Sequence, residues 1–560
     1  MKHRYTIDYK YYYYSIRRKN AMTLRNDPVP LPAKRITYKK GSNGIIYIYY
    51  TLRAYRNTQG KPTSDEVVIG KKDPVTGMLI PNKKYFELFP ETISTKRRRI
   101  ESVKNRTVYR VENYGTIYAL MKIAEKIGLQ AILSNCFPQK WEMVLLVAIY
   151  MICEGNVMMY IKDWCDETLL FFTKQMDDQQ CSVLFANITF DERMIFFEKW
   201  VQFRSEQEHI AYDVTSVSTY SNGIDIAEYG YNRDNEKIPQ VNIGMYYGVQ
   251  SCLPVYYNVY SGSISDKSHM PCMLHGTKKL GIENSRFVFD RIFVTKDNME
   301  YCDKERYFFI SAFPNHFVET RRLIDECKDV IHKSENRVKG SGVYGVPITT
   351  EVYGFTMTAC VYFDPKKQAL DEAIFYSHID RLEADLEKMK KTKRVTKRFT
   401  DYFNVEQESD ENICFKPDNE KMNERLSRAG FFVLLSNDNS LDCGTVLKTY
   451  RRRDSIEKNF HQLKNELDFK RLRTHVNETM DGKIFTGFIA LIIRSYILTK
   501  IKNNDETKKF TFEKILIELR KIKVITYNDG IRMIQSLTKT QKTILKALDL
   551  TEEELLNSLD

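Results

Sequence analysis

The stretch YRRRDSIEKNFHQLK, residues 450–464, carries two periodicities at once. Ile456, Phe460, Leu463 and Leu467 recur every three or four positions, the signature of a helix with one buried stripe. Arg453, Glu457, His461 and Lys464 follow at i, i+4, i+8 and i+11 and form a second, charged stripe. Paired Glu and Arg or Lys at this spacing are ordinary stabilisers of a solvated helix face. Chemistry there needs a reason from the rest of the chain.

Working outward, the pattern predicts a helix over 448–467 that closes a mixed α/β sheet. EHIAYDVTSVSTYS (208–221) is rich in β-branched residues and reads as a strand, and QVNIGMYYGVQSCLPVYYNVYSGSISD (240–266) as a hairpin. HMPCMLHGTKKLGI reads as a helix, SRFVFD as a buried strand, TKDNMEYCDKER as a helix and YFFISAF as a strand. The order β–β–β–α–β–α–β predicts a mixed, five-stranded sheet, not a strictly alternating parallel one. It is divided between residues 206–314 and 446–500. Between them, 315–445 reads as an α+β insertion, with strands VPITTEVYGFTMTACVYF and GFFVLLSN. It also holds a long helix bearing Phe375, Ile379, Leu382, Leu386 and Met389, and a polar run, NVEQESDENI, read as disordered. Residues 111–205 are helical by period and hold all three tryptophans. Residues 501–560 form a helical end.

Charge is unevenly placed. Of a net +13, the first 100 residues supply 22 Lys and Arg against 7 Asp and Glu, and the remainder nearly balances. The basic residues alternate with tyrosines in YKYYYYSIRRK and IYIYYTLRAYR. That mixture suits phosphate neutralisation together with stacking, so residues 1–110 read as a DNA-binding region whose binding weakens with salt. Within it, 1–41 is expected to be an arm and NTQGKP the turn of a hairpin, while STKRRRIESVKNR adds a second basic knot. Eleven scattered cysteines without a CxxC pair argue against zinc and against a disulfide framework. No apolar leader opens the chain, and the apolar runs at 143–153 and 484–498 are short or interrupted by Arg494. The expectation is a soluble, cytoplasmic protein.

Three carboxylates stand out by position. Asp213 lies inside a strand, Asp290 ends one, and Glu457 sits on the charged stripe. A carboxylate buried in a strand without a partner costs several kcal/mol, about what a fold cannot spare. Should the two strands be neighbours with the helix across them, the three would converge. They would then repel one another unless a hard divalent cation joined them, and Mg²⁺ prefers such oxygen ligands.

These residues resemble the DDE transposases of bacterial insertion sequences, in the cut-and-paste branch marked by Tyr-x₂-Arg-x₃-Glu-x₆-Lys. Tyr450, Arg453, Glu457 and Lys464 match every spacing. AYDVTSVSTYS resembles that family's first-Asp strand and FVFDRIFVTKDN its second-Asp segment. YSGSISDKSHM resembles its Gly-Asn-x-x-Asp turn, at Gly262 and Asp266. Ser263 stands where Asn is usual and Ile292 where Gly is usual. The resemblance implies an RNase H-like fold with Asp213, Asp290 and Glu457 as catalytic ligands of two Mg²⁺ ions, replaceable by Mn²⁺. It implies Tyr450, Arg453 and Lys464 on DNA phosphates, and double-stranded inverted-repeat and target DNA bound by a homodimer at the nucleoid. His461 has no such role. Base stacking by the insertion would fall to Tyr353, Phe355, Tyr362 or Phe363. The alternative is a catalytically decayed DNA-binding regulator, to which Ile292 would point.

Overall fold

The computed structural model describes residues 28–42, 44–74, 76–89, 107–172, 175–204, 209–232, 234, 236–282, 286–389, 395–407, 413–453 and 460–559. The chain divides into two units, Met1–Tyr109 with Thr526–Ile531, and Arg110–Ile525 with Arg532–Asp560.

In the first unit, β1 (Ile36–Lys40), β2 (Ile46–Arg56), β3 (Pro62–Lys72) and β4 (Leu79–Pro81) form an antiparallel meander. The predicted hairpin is β2–β3. Residues 36–40, expected as part of an arm, are instead a strand paired from Ile36↔Tyr50 to Lys40↔Ile46. Backbone pairing holds β1, whose side chains are nearly all exposed, so no apolar alternation announces it. A small core of Ile48, Ile69, Leu79 and Tyr85 lies beneath. On the outer surface Lys39 pairs with Glu66 at 2.7 Å and stands 4.4 Å from the Tyr49 ring. Lys72 lies 5.7 Å from the ring of Tyr38. The basic runs before residue 28 and at 94–106 fall outside the described residues.

After β5 (Val108–Asn113), the second unit opens with helices that include Gly115–Lys126, Trp141–Glu154, Asp178–Asn187 and Phe190–Arg204. Trp200 is fully buried and its indole N–H donates to the Pro254 carbonyl at 3.0 Å, fixing the last of these helices to the sheet. Helix Asn477–Lys502 is long and apolar enough to cross a membrane, yet most of it is buried inside the protein, against Trp141–Glu154 and Asp178–Asn187. Its buried Arg494 pairs with Glu466 and lies 3.6 Å from the Phe512 ring.

The sheet comprises β6 (His209–Ser218), β7 (Gln240–Gly248), β8 (Pro254–Ser261), β9 (Arg286–Phe289), β10 (Phe308–Phe313), β11 (Arg337–Val338), β12 (Val343–Val352), β13 (Phe355–Phe363) and, after the hairpin β14 (Phe403–Gln407)–β15 (Ile413–Pro417), β16 (Phe431–Ser436). Its order is β11-β12-β13-β16-β10-β9-β6-β7-β8, with β6, β9 and β10 mutually parallel. Nine strands therefore stand where the sequence suggested five. The cause is β16, which pairs on both edges, Ser436 facing Ile310 on one side and Thr358 on the other. Strands from 315–445 thus continue the same sheet. Among the described residues of this stretch, helix Pro365–Glu387, the short helix Lys397–Thr400, the β14–β15 hairpin and helix Asn419–Leu426 gather round a core of their own, built on Phe375, Ile379, Leu382, Leu386, Phe399, Phe403 and Met422. NVEQESDENI was expected as disordered; its ends instead lie in β14 and β15, with Val405 opposite Phe415. Residues 408–412 are outside the described residues. The late helix starts earlier than expected, as Cys443–Arg452, and its C-cap is Arg453. Residues 454–459 are not described. Gln462–Glu466 is a π-helical turn, closed by the Leu467 N–H on the Gln462 carbonyl at 2.9 Å. Such turns recur at functional sites.

Candidate active site

Strands β6 and β9 run parallel in the register His209↔Arg286, Ile210↔Phe287, Ala211↔Val288. Continued two residues further, that register sets Asp213 level with Asp290. Asp213 is 1% exposed, and its Oδ1 accepts from the Val214 N–H at 2.8 Å. Asp290 leaves β9 as the cap of the 3₁₀ turn Arg291–Phe293. Its carbonyl accepts from Phe293 N at 3.0 Å and Ser311 Oγ at 3.2 Å, so the chain is held where the strand ends.

Arg453 meets both carboxylates. Its Nη1 lies 3.3 Å from Asp290 Oδ2 and 4.0 Å from Asp213 Oδ2. The guanidinium is buried and stands 5.5 Å from the Tyr450 ring, one helical turn back. Two carboxylates this close repel each other, and the guanidinium supplies a compensating charge. The sequence placed Arg453 on DNA phosphate; the geometry sets it between the two aspartates. A donor set of two carboxylates turned on one cationic group also fits a hard divalent cation. Among the described residues no cluster of three or more metal-binding side chains occurs. Glu457, the expected third member, lies outside them, in 454–459.

Lys464 makes a separate contact. It is 8% exposed and its ammonium lies 2.9 Å from Asp234 Oδ2. Two residues on, Glu236 accepts from both Nη1 and Nη2 of Arg471 at 2.7 and 2.8 Å, and this guanidinium holds its carboxyl below the ordinary value. Asp234, Glu236 and Arg471 were missed in the sequence. They carry no periodicity, and a polar turn such as NRDNEK gives no sign of the segment it will face.

The expected turn at Gly262 has a steric basis. A Cβ there would lie 2.2 Å from the Gln240 carbonyl oxygen and 2.4 Å from that of Glu228, so only glycine fits. Ser263, in place of Asn, donates with Ser261 to Glu228, whose carboxyl these hydroxyls hold low. Asp266 accepts from Tyr260 Oη at 2.8 Å. Ile292 packs partly buried against the core. Of the four insertion aromatics, Tyr362 and Phe363 are buried in the sheet, Phe355 is partly buried, and Tyr353 is 41% exposed at the β12–β13 turn.

Residues 204–493 match the family described as Transposase DDE domain, a range that holds Asp213, Asp290, Tyr450, Arg453, Glu457 and Lys464. No curated protein matches the chain. Among solved structures, a cryo-EM structure of a piggyBac transposase synaptic complex with hairpin DNA aligns with a TM-score of 0.33 and 10% identity, over 72% of this chain and 76% of that one.

Proposed function

The chain belongs to the Transposase DDE domain family, and from that premise we propose that it is the transposase of a bacterial insertion sequence, of the branch with Tyr450, Arg453, Glu457 and Lys464 as its signature. It binds the terminal inverted repeats of its element as a homodimer, cuts the DNA there and joins the ends to a target. The observation that carries this reading is the meeting of Asp213 and Asp290, from adjacent parallel strands, at one buried guanidinium. The run β8-β7-β6-β9-β10, antiparallel then parallel, supports an RNase H-like core for the site.

Asp213 and Asp290, with Glu457, are the residues that would hold two Mg²⁺ or Mn²⁺ ions, which when bound supply a more acidic attacking oxygen and offset charge on the leaving one. The protein's own groups prepare the place. Arg453 sets a positive charge against an oxygen of each aspartate. The ring of Tyr450 steadies that guanidinium, and the planar fork can pass to a phosphate. Lys464 offers a point charge further along the same segment. The Lys- and Tyr-bearing face of β1–β3 neutralises further phosphates.

The test uses purified protein and a labelled DNA carrying one element end, with Mg²⁺, with Mn²⁺ and with EDTA, for wild type and Glu457→Gln. Metal-dependent cutting at the element boundary and joined products, lost in the variant while DNA binding persists, is the expected result. Binding without cutting in either metal would refute it in favour of a regulator of the element.

A further inference from the structure

A cleft of about 1160 Å³ opens between the β11–β12 turn and one flank of helix Cys443–Arg452. Both walls are held. On one, the Ser341 hydroxyl donates to the Val338 carbonyl at 2.9 Å and accepts from the Val343 N–H at 3.1 Å. Gly340 and Gly342 stand at φ +75° and +72°, in the left-handed region, and nothing lies within 4 Å of where a Cβ would be. Backbone there is open to close approach. On the other wall, Cys443, Val446 and Leu447 are buried with Ile310, Cys360, Tyr362 and Leu434. The Tyr362 hydroxyl donates to the Cys443 carbonyl at 2.7 Å. The two walls converge where a Cβ on Gly444 would lie 3.8 Å from Val338 Cγ1.

Charge identifies the occupant. Arg337, Lys339, Lys448 and Arg451 line the cleft against two carboxylates, Glu335 and Asp442. Arg451 is shared with Asp364 at 3.1 Å. Arg337, Lys339 and Lys448 are exposed and make no ion pair among the described residues. Asp442 caps the helix, accepting from the N–H and the hydroxyl of Thr445 at 3.0 and 2.7 Å. A positive excess remains, in the part of the chain after residue 100 whose charges otherwise nearly cancel. An added β-strand is the other way to fill such a cleft, since among the described residues β11 covers only Val343 and Tyr344 on the outer edge of β12. Pro347 interrupts that edge, having no N–H to offer, whereas phosphates need only the cations. Position agrees. Gly444, Lys448 and Arg451 follow at i, i+4 and i+7 along one flank of the helix, with Arg453 as its C-cap. At about 1.5 Å per residue, Gly444 and Lys448 lie roughly 14 and 8 Å along the axis from Arg453. Arg453 in turn reaches Asp290 at 3.3 Å, so the flank leads to the two aspartates.

We propose that this cleft carries the phosphates of the DNA strand cut at Asp213 and Asp290, over the nucleotides next to the bond, with Arg337, Lys339 and Lys448 as the contacts. The proposal rests on the transposase reading and gives that site a track for its substrate. Contacts of this kind answer to charge: they survive exchange of one cation for another, and they weaken with salt.

The experiment uses the full chain and a labelled element-end DNA. Arg337→Ala, Lys339→Ala and Lys448→Ala combined are expected to weaken binding roughly tenfold or more at about 0.1 M salt, and to make the salt slope shallower by about three. The melting temperature of that variant stays at the wild-type value, because all three side chains are exposed and unpaired. Arg337→Lys and Lys448→Arg keep the wild-type salt slope. A photoreactive benzoylphenylalanine in place of Thr349, which lines the cleft, is expected to cross-link DNA within about five nucleotides of the cleavage point. A triple variant that binds as tightly as wild type with the same salt slope would overturn the track. A cross-link to a second copy of the chain would also overturn it, by making the cleft a protein interface. Photoreactive protein that cuts the DNA yet gives no cross-link to it refutes the track alone. Wild type that neither binds nor cuts in Mg²⁺ or Mn²⁺ refutes the transposase reading beneath it.

Discussion

The β1–β4 meander and the site beside β6 and β9 both bring charged and aromatic groups together, under opposite conditions. On the meander, Lys39 and Lys72 lie beside the rings of Tyr49 and Tyr38 in contact with water. Where β6 runs beside β9, Asp213 and Arg453 are almost wholly buried. An exposed cation costs little to hold and gains little from its partner. A buried carboxylate must have one. The first arrangement suits a surface that meets many phosphates weakly, the second a place where fixed charges are held at set distances.

The largest break of that contrast is expected at Arg453. Arg453→Ala leaves the buried Asp213 facing the part-exposed Asp290 without a cation between them and should cost about 3 kcal/mol in urea unfolding. Added Mn²⁺ should restore more stability to this variant than it adds to wild type. A loss of similar size follows at the same kind of buried charge elsewhere. Burial lowers the Arg494 guanidinium to about 10 against the pull of Glu466. Glu466→Gln should therefore destabilise by about 3 kcal/mol, and Glu466→Gln with Arg494→Met should recover much of it.

Histidines sharpen the comparison by pH. Burial holds His209 and His269 down to about 4 each. Unfolded imidazoles take up protons from about pH 6.5 downward, while the folded ones stay neutral until about 4. Their contribution to stability is complete above pH 6.5 and is lost as pH falls toward 4, by about 2 kcal/mol for His269, the more buried side chain. Melting temperature against pH should flatten over that window in His269→Gln. The smallest effect belongs to the meander. Arg53→Ala and Lys72→Ala should change stability by less than about 0.5 kcal/mol. Each should lower the salt slope of DNA binding by about one, with cleavage at saturating DNA unaltered.

How much of this was legible beforehand follows the same division. Asp213 stood out because it sits inside an apolar strand, where a charge is not expected; Asp290, at a strand end, stood out only by its order in a family pattern. Arg453 was found by spacing, but its partner was not, since spacing along one helix says nothing of the strand ends it will face. The sheet's four additional strands escaped for a related reason. Alternation marks β12, β13 and β16 as strands and leaves open whether they pair with β10 or among themselves, and only the two-edged pairing of β16 decides that. β1 was missed because its side chains point to water on both faces. Asp234 and Glu236 lie in a polar turn where acidic residues are expected in any case.

The most direct test of the central claim is single-turnover cleavage of an element-end DNA in Mg²⁺ by wild type and Asp213→Asn. The account predicts that the variant binds the DNA as tightly, melts no lower, and cuts at least about a thousandfold more slowly, a loss of about 4 kcal/mol in transition-state stabilisation. Cutting by Asp213→Asn at the wild-type rate would contradict it.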